Sequence, residues 1–130
     1  MIEVAIGIVL NQKQEICLSK RQKHQVYAGF WEFPGGKCLA QEAPYDALVR
    51  ELYEEIGIKV QKAQLIDTIE HRYDHGAVRL HFYVVESYSG VVHSKEGQAL
   101  CWVDKHDLAQ YRLPEANEPI VAFLQRTLGN

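Results

Sequence analysis

The chain has 130 residues, 47% of them apolar and 24% charged, which excludes a disordered polymer and suits one domain spanning residues 1–130. A formal net charge of −3 argues against duplex nucleic acid as a partner, because binders of its backbone carry a basic excess. No apolar run approaches the roughly 18 residues of a membrane helix, the amino terminus lacks a basic leader, and Cys17, Cys38 and Cys101 are scattered, so a cytoplasmic, membrane-free protein with reduced thiols is expected.

Residues 4–10, rich in Val and Ile, predict a buried strand; the polar stretch 11–14 predicts a turn and 15–19 the returning strand. Residues 20–29 are polar and read as a loop. The alternation of Trp31, Glu32 and Phe33 predicts a short strand, ended by a tight turn at Pro34, Gly35 and Gly36. Residues 43–56 form the strongest helix signal. Pro44 suits its first position, Gly57 suits its left-handed end, and Tyr45, Leu48, Val49, Leu52 and Ile56 share one arc. Residues 59–70, 78–86 and 100–103 read as strands. A last helix is expected over about 119–128, with Asn117 or Glu118 near its start and Gly129 beyond its end. The order strands, helix, strands, helix predicts an α+β or layered α/β/α architecture.

Within the long helix, Glu51, Glu54 and Glu55 span about 100° of one face beside the apolar arc, with Arg50 at its edge. Like charges one helical turn apart repel, and at about 4 Å and an effective dielectric near 20 two unit charges interact by roughly 4 kcal/mol. A solvated face is the plain reading. If the cluster is partly buried it needs a cation or a shared proton, and an oxygen-only donor set selects a hard ion such as Mg²⁺ or Mn²⁺.

These glutamates belong to a longer spaced pattern. Gly36 is followed after five residues by Glu42 and after seven more by Arg50, Glu51 and Leu52; then come Tyr53, Glu54, Glu55, Ile56, Gly57 and Ile58. The pattern resembles the Nudix box of the Nudix hydrolases, with every fixed position filled. The resemblance implies an α/β/α sandwich around a mixed central sheet, the box forming loop–helix–loop, and metal-dependent cleavage of nucleoside diphosphates linked to another group. It makes Glu54, Glu55 and Glu51 metal ligands, with Glu51 alternatively the water-positioning base. Arg50 then orients a glutamate, Glu42 completes the network, and Gly35 and Gly36 allow close approach of backbone to metal and phosphate.

Further segments are similar to the MutT branch of that family: Ala5-Ile6-Gly7-Ile8-Val9, Ser19-Lys20-Arg21, Trp31 to Lys37, Lys95-Glu96-Gly97-Gln98, and Pro114-Glu115-Ala116-Asn117-Glu118-Pro119. That likeness implies hydrolysis of 8-oxo-dGTP to 8-oxo-dGMP and pyrophosphate by water attack at the β-phosphorus, in a monomer whose partner is a small nucleotide. It assigns Asn117 to the edge of the base, where an amide offers a donor and an acceptor together; helix capping is its structural alternative. Arg21 is assigned to base or α-phosphate, Glu96 to a further metal contact, Phe33 and Ile6 to the base pocket and Lys37 to phosphate. Solvated surface positions for Arg21, Glu96 and Lys37, and core packing for Phe33 and Ile6, are the alternatives. The segment 71–79 departs from the branch, which carries an arginine here that helps cover the base. An ungapped register places Gly76 at that position, with Arg72 and Arg79 as substitutes. His71 and His75 are not expected to form a metal pair, because their segment is not convincingly helical. The competing readings are a Nudix hydrolase of another (d)NTP or nucleoside diphosphate derivative, and a non-catalytic Nudix module, which the intact glutamates disfavour.

Overall fold

The computed structural model describes residues 1–25, 27–74 and 76–127. In chain order its strands are β1 (Ile2–Val9), β2 (Ile16–Lys20), β3 (Trp31–Glu32), β4 (Gly35–Lys37), β5 (Lys59–Tyr73), β6 (Gly76–Ser89) and β7 (Leu100–Val103). Helix α1 (Pro44–Ile56) follows β4 and helix α2 (Glu118–Thr127) closes the described chain.

β1 is apolar on both faces because both are covered. It lies in a four-stranded sheet of order β4-β1-β6-β5, parallel to β6 and antiparallel to β4. A three-stranded antiparallel sheet, β3-β2-β7, stands beside it. Side chains alternate across a strand, so β1 sorts its residues between two cores. Ala5 and Val9 pack with Leu48, Leu52 and Ile56 of α1. Ile8 packs with Phe82, Ile120 and Leu124, the last two from α2. A mixed sheet between helices is the α/β/α architecture expected above.

α1 begins with Pro44 at its first turn and ends at Gly57, whose φ of 72° is the left-handed conformation a glycine adopts at low cost. The buried stripe is Ala47, Leu48, Leu52, Glu55 and Ile56. It is rotated from the predicted arc: Tyr45 is 37% exposed, while the carboxylate Glu55 is buried. That rotation delivers an acid to the sheet.

The turn expected at Pro34-Gly35-Gly36 is corrected. Gly35–Lys37 is a strand, in register with Ile6, Ala5 and Val4 of β1. A Cβ on Gly35 would run into the carbonyl oxygen of Ala5 and the Cα of Ile6, so the glycine is required by close strand approach. β5 and β6 also run further than predicted, forming a long hairpin with register shifts between Val60 and Lys62, Lys62 and Ala63, and Leu65 and Asp67. The predicted continuation of α2 to Leu128, with Gly129 beyond, lies outside the described residues.

A short 3-10 helix, Lys105–Gln110, was not foreseen. Lys105 is 5% exposed and its Nζ has no hydrogen-bond partner among the described residues. Leaving a buried donor unsatisfied costs about 1–3 kcal/mol. Lys105→Met, which keeps the length and removes the ammonium, is expected to raise the unfolding free energy by an amount in that range. Urea titration checks it, and a variant no more stable than the parent overturns it.

Candidate active site

Two elements bring the box to the sheet. β4 passes Gly35 and Gly36 beside β1, and α1 crosses that sheet with Glu51 and Glu55 turned toward the glycines. Glu55 Oε2 accepts a hydrogen bond of 3.1 Å from the Gly35 N–H. No room for a side chain remains at Gly36: a Cβ built there would meet the Glu51 carboxylate.

Arg50 organises the outer side of this arrangement. Its Nε and Nη2 donate to the two oxygens of Glu42 at 2.9 and 2.8 Å, a bidentate pair. Its Nη1 donates to Glu51 Oε1 at 2.8 Å and to Glu54 Oε1 at 3.2 Å, and Nη2 also reaches the Lys37 carbonyl at 3.1 Å. The Leu39 N–H donates to Glu42 Oε1 at 2.9 Å. The guanidinium and this N–H hold Glu42 down to about 2. One arginine therefore fixes three box glutamates and the strand before them.

Glu55 faces the opposite electrostatics. Burial, and then the charges of Glu51, Glu32 and Glu96, push its carboxyl up to about 9, against the one Gly35 hydrogen bond that lowers it. Glu32 is raised by burial and held back by Arg21, whose Nη1 lies 2.8 Å from Glu32 Oε1.

A cleft of about 600 Å³ opens here. It gathers the predicted residues Ile6, Arg21, Phe33, Gly35, Gly36, Lys37, Glu51, Glu55, Glu96 and Asn117 from across the chain. Arg50 and Glu54 do not line it; Glu54, with its side chain 48% exposed, sits on the outer side against Arg50. The cleft also holds residues the sequence did not single out: Glu32, Gln25, Tyr27, Tyr73, Pro114 and the apolar Val4, Val78 and Leu80. The alternation on β6 carried a usable signal for Val78 and Leu80. Tyr27 and Tyr73 gave none, because they meet only through folding, with ring centroids 6.2 Å apart.

Asn117 is 6% exposed at the end of a 3-10 turn, Glu115–Asn117, just before α2. Among the described residues its side chain makes no hydrogen bond, so the amide does not cap the helix, and it lines the cleft. In the divergent segment, Tyr73 lines the cleft whereas Arg72 and Arg79 do not. Arg79 is on the α1 side of the sheet, paired with Glu3 at 3.0 Å and Glu70 at 3.6 Å. His75 lies outside the described residues, and with it the predicted absence of a histidine pair.

Among the described residues no three acidic, histidine or cysteine side chains form a ready-made cation cage. The donor chemistry nevertheless fits a hard divalent ion: Glu51, Glu55 and Glu96 converge on one cleft through oxygens alone. Their mutual repulsion, expressed in Glu55, is what a cation would relieve.

A family model described as the NUDIX domain matches residues 5–123. An Escherichia coli K12 protein named 8-oxo-dGTP diphosphatase is 38% identical over 125 residues, covering 96% of this chain and 97% of its own. A second protein of that strain, named CTP pyrophosphohydrolase, is 34% identical over 125 residues, covering 95% of this chain and 92% of its own. A solved structure from a study of MutT of Aliivibrio salmonicida and Vibrio cholerae superposes with a TM-score of 0.82 at 44% identity, covering 95% of each chain.

Proposed function

The chain belongs to the NUDIX domain family, and from that membership we propose a MutT-type pyrophosphohydrolase that converts 8-oxo-dGTP and water to 8-oxo-dGMP and pyrophosphate, keeping an oxidised nucleotide out of DNA synthesis. The observation that carries the proposal is a single cleft lined at once by Glu51, Glu55 and Glu96, by the Asn117 amide, and by apolar Ile6, Phe33 and Leu80.

Each side chain has a distinct task. Val4, Ile6, Phe33, Val78 and Leu80 bury the faces of the base. Asn117 donates to and accepts from its edge, which lets one residue read a purine altered at a hydrogen-bonding position. Arg21, steered by Glu32, and Lys37 meet phosphate oxygens. Glu51, Glu54, Glu55 and Glu96, with backbone carbonyls of the Gly35–Gly36 strand, would hold divalent cations, Mg²⁺ or Mn²⁺. When bound, those ions neutralise the polyphosphate and acidify a water. Arg50 keeps Glu51 from wandering, so its oxygens need little reordering as substrate arrives, whereas Glu54, outside the cleft lining, has to turn from Arg50 to join a cation. The reading includes a monomer acting in the cytoplasm on a small-molecule nucleotide.

The alternative is a pyrophosphohydrolase of another (d)NTP or nucleoside diphosphate derivative. Its specific support is that neither Arg72 nor Arg79 lines the cleft.

A substrate panel with Mg²⁺ and product identification separates the two. The proposal expects pyrophosphate rather than orthophosphate, and a kcat/KM for 8-oxo-dGTP far above that for dGTP. Asn117→Ala is expected to lower kcat/KM for 8-oxo-dGTP by one to two orders of magnitude, as the loss of a bidentate base contact costs about 1–3 kcal/mol. Its effect on dGTP should be much smaller. Equal losses on both nucleotides would remove Asn117 from recognition of the oxidised base.

A further inference from the structure

Glu96 sits on the connection between β6 and β7, a loop without regular structure from residue 90 to 99. A loop carboxylate is poorly placed unless its backbone is tied down. Here it is tied, and the knot is the side chain of Gln98.

Gln98 is 7% exposed. Its Oε1 accepts from Ser94 Oγ at 2.6 Å and from the Glu96 N–H at 3.1 Å. Its Nε2 donates to the backbone carbonyl of Glu55 at 3.2 Å. The Lys95 N–H donates to that same carbonyl at 3.0 Å, and the His93 N–H to the Ile56 carbonyl at 3.1 Å. The last carbonyls of α1, which have no partner within the helix, are thereby used to fasten the loop. On the other side of Glu96, Gln22 Nε2 donates to the Glu96 carbonyl at 3.2 Å. Gly97, with φ of +82°, makes the turn between the two tied residues.

We propose that Gln98 is a positioning residue that sets the Glu96 carboxylate opposite Glu55 before any cation or nucleotide binds. The proposal rests on the function proposed above, and specifically on Glu96 as a cation ligand. An amide is the required group: it accepts from the loop and donates to the helix at once. A carboxylate would lose the donor, and an apolar side chain both. The bond to the Glu55 carbonyl belongs to the residue whose side chain shares the cleft with Glu96, so one amide sets the relative position of two acids that are far apart in sequence. Outer contacts of this kind typically change cation affinity by 10- to 100-fold.

The test is a double-mutant cycle of Gln98→Met and Glu96→Gln, read by Mn²⁺ binding to the nucleotide-free protein in electron paramagnetic resonance titrations, with thermal melts and the kcat and KM of each variant alongside. Gln98→Met is expected to weaken Mn²⁺ binding by about 10- to 100-fold and to lower kcat more than it raises KM. In the Glu96→Gln background it should weaken binding no further. Unchanged Mn²⁺ affinity in Gln98→Met overturns the proposal, and so does an equal loss in both backgrounds, which marks a merely structural role. If Glu96→Gln alone leaves Mn²⁺ binding intact while Gln98→Met weakens it, the route through Glu96 is refuted, whereas hydrolysis of 8-oxo-dGTP by the parent protein stands as a separate result. Should Gln98→Met fail to fold, Gln22→Ala, at a half-buried position, frees the other side of Glu96 and replaces it in the cycle with the same expected sign and the same refuting outcomes.

Discussion

Glu55→Gln is expected to lower hydrolysis on the order of 10³-fold while making the cation-free protein more stable at alkaline pH. The catalytic half follows from the cleft: a cation site that loses a buried carboxylate loses several kcal/mol of charge stabilisation, at about 1.4 kcal/mol per factor of ten in rate. The stability half follows from burial. The carboxyl has an ordinary value of 4.5 when exposed and is pushed up to about 9 in the folded chain, first by burial and then by Glu51, Glu32 and Glu96. Between those values the folded chain binds more protons than the unfolded one, so stability is fully present below about 4.5 and declines as pH rises toward about 9. Gln keeps an acceptor for the Gly35 N–H and never ionises. Unfolding free energies of the two proteins without divalent ions should therefore diverge from pH 5 to 9 in favour of the variant, by a few kcal/mol at about 1.4 kcal/mol per unit of displacement. Adding Mg²⁺ at pH 8 should stabilise the parent far more than the variant. Parallel curves, or equal stabilisation by Mg²⁺, would show that Glu55 does not bear the cluster's charge.

Gly36→Ala is expected to yield a folded protein that is nearly inactive, whereas Gly35→Ala is expected not to accumulate as folded protein. The two glycines are neighbours in β4, but a Cβ meets different things at each. At Gly36 it meets the Glu51 carboxylate, the far end of a flexible side chain. The fold survives if that group moves, but moving it breaks the 2.8 Å contact with Arg50 and takes an oxygen from the cleft. Displacing a catalytic group by about 1 Å costs on the order of 10²-fold in rate. At Gly35 the obstacle is the Ala5 carbonyl and Ile6 Cα, backbone of the central strand, and the residue has φ of +156°. Only separating β4 from β1 relieves it. Circular dichroism melts and kcat/KM of the two variants check the pair. An active Gly36→Ala would mean that Glu51 is free to leave its place without consequence.

Helix α1 was legible because its pattern is local: Pro44 and Gly57 mark the ends, and Leu48, Leu52 and Ile56 mark the buried side. The box was legible because its spacing is a property of the chain itself, and Glu51, Glu55, Gly35 and Gly36 of that pattern line one cleft. β4 was not legible. Two glycines after a proline carry turn chemistry, and only the presence of β1 at hydrogen-bonding distance makes them a strand. Glu32 and Tyr73 were not singled out for a related reason. Alternation shows which face a strand residue takes, but not whether another element covers that face or leaves it open as a cleft.

From residue order alone came the family pattern, the acid-bearing helix, the order of strands and helices apart from β4, and, through the family likeness, Asn117 as a candidate for contact with the base. Folding alone determined that Glu55 is buried among like charges, that Arg79 turns away to Glu3 while Tyr73 faces the cleft, and that Gln98 reaches the end of α1. Residue spacing encodes interactions within one element, where geometry is set by the backbone's own repeat. Charge burial and long-range hydrogen bonds depend on which elements pack together, and that is settled by the whole chain covering its apolar surface at once.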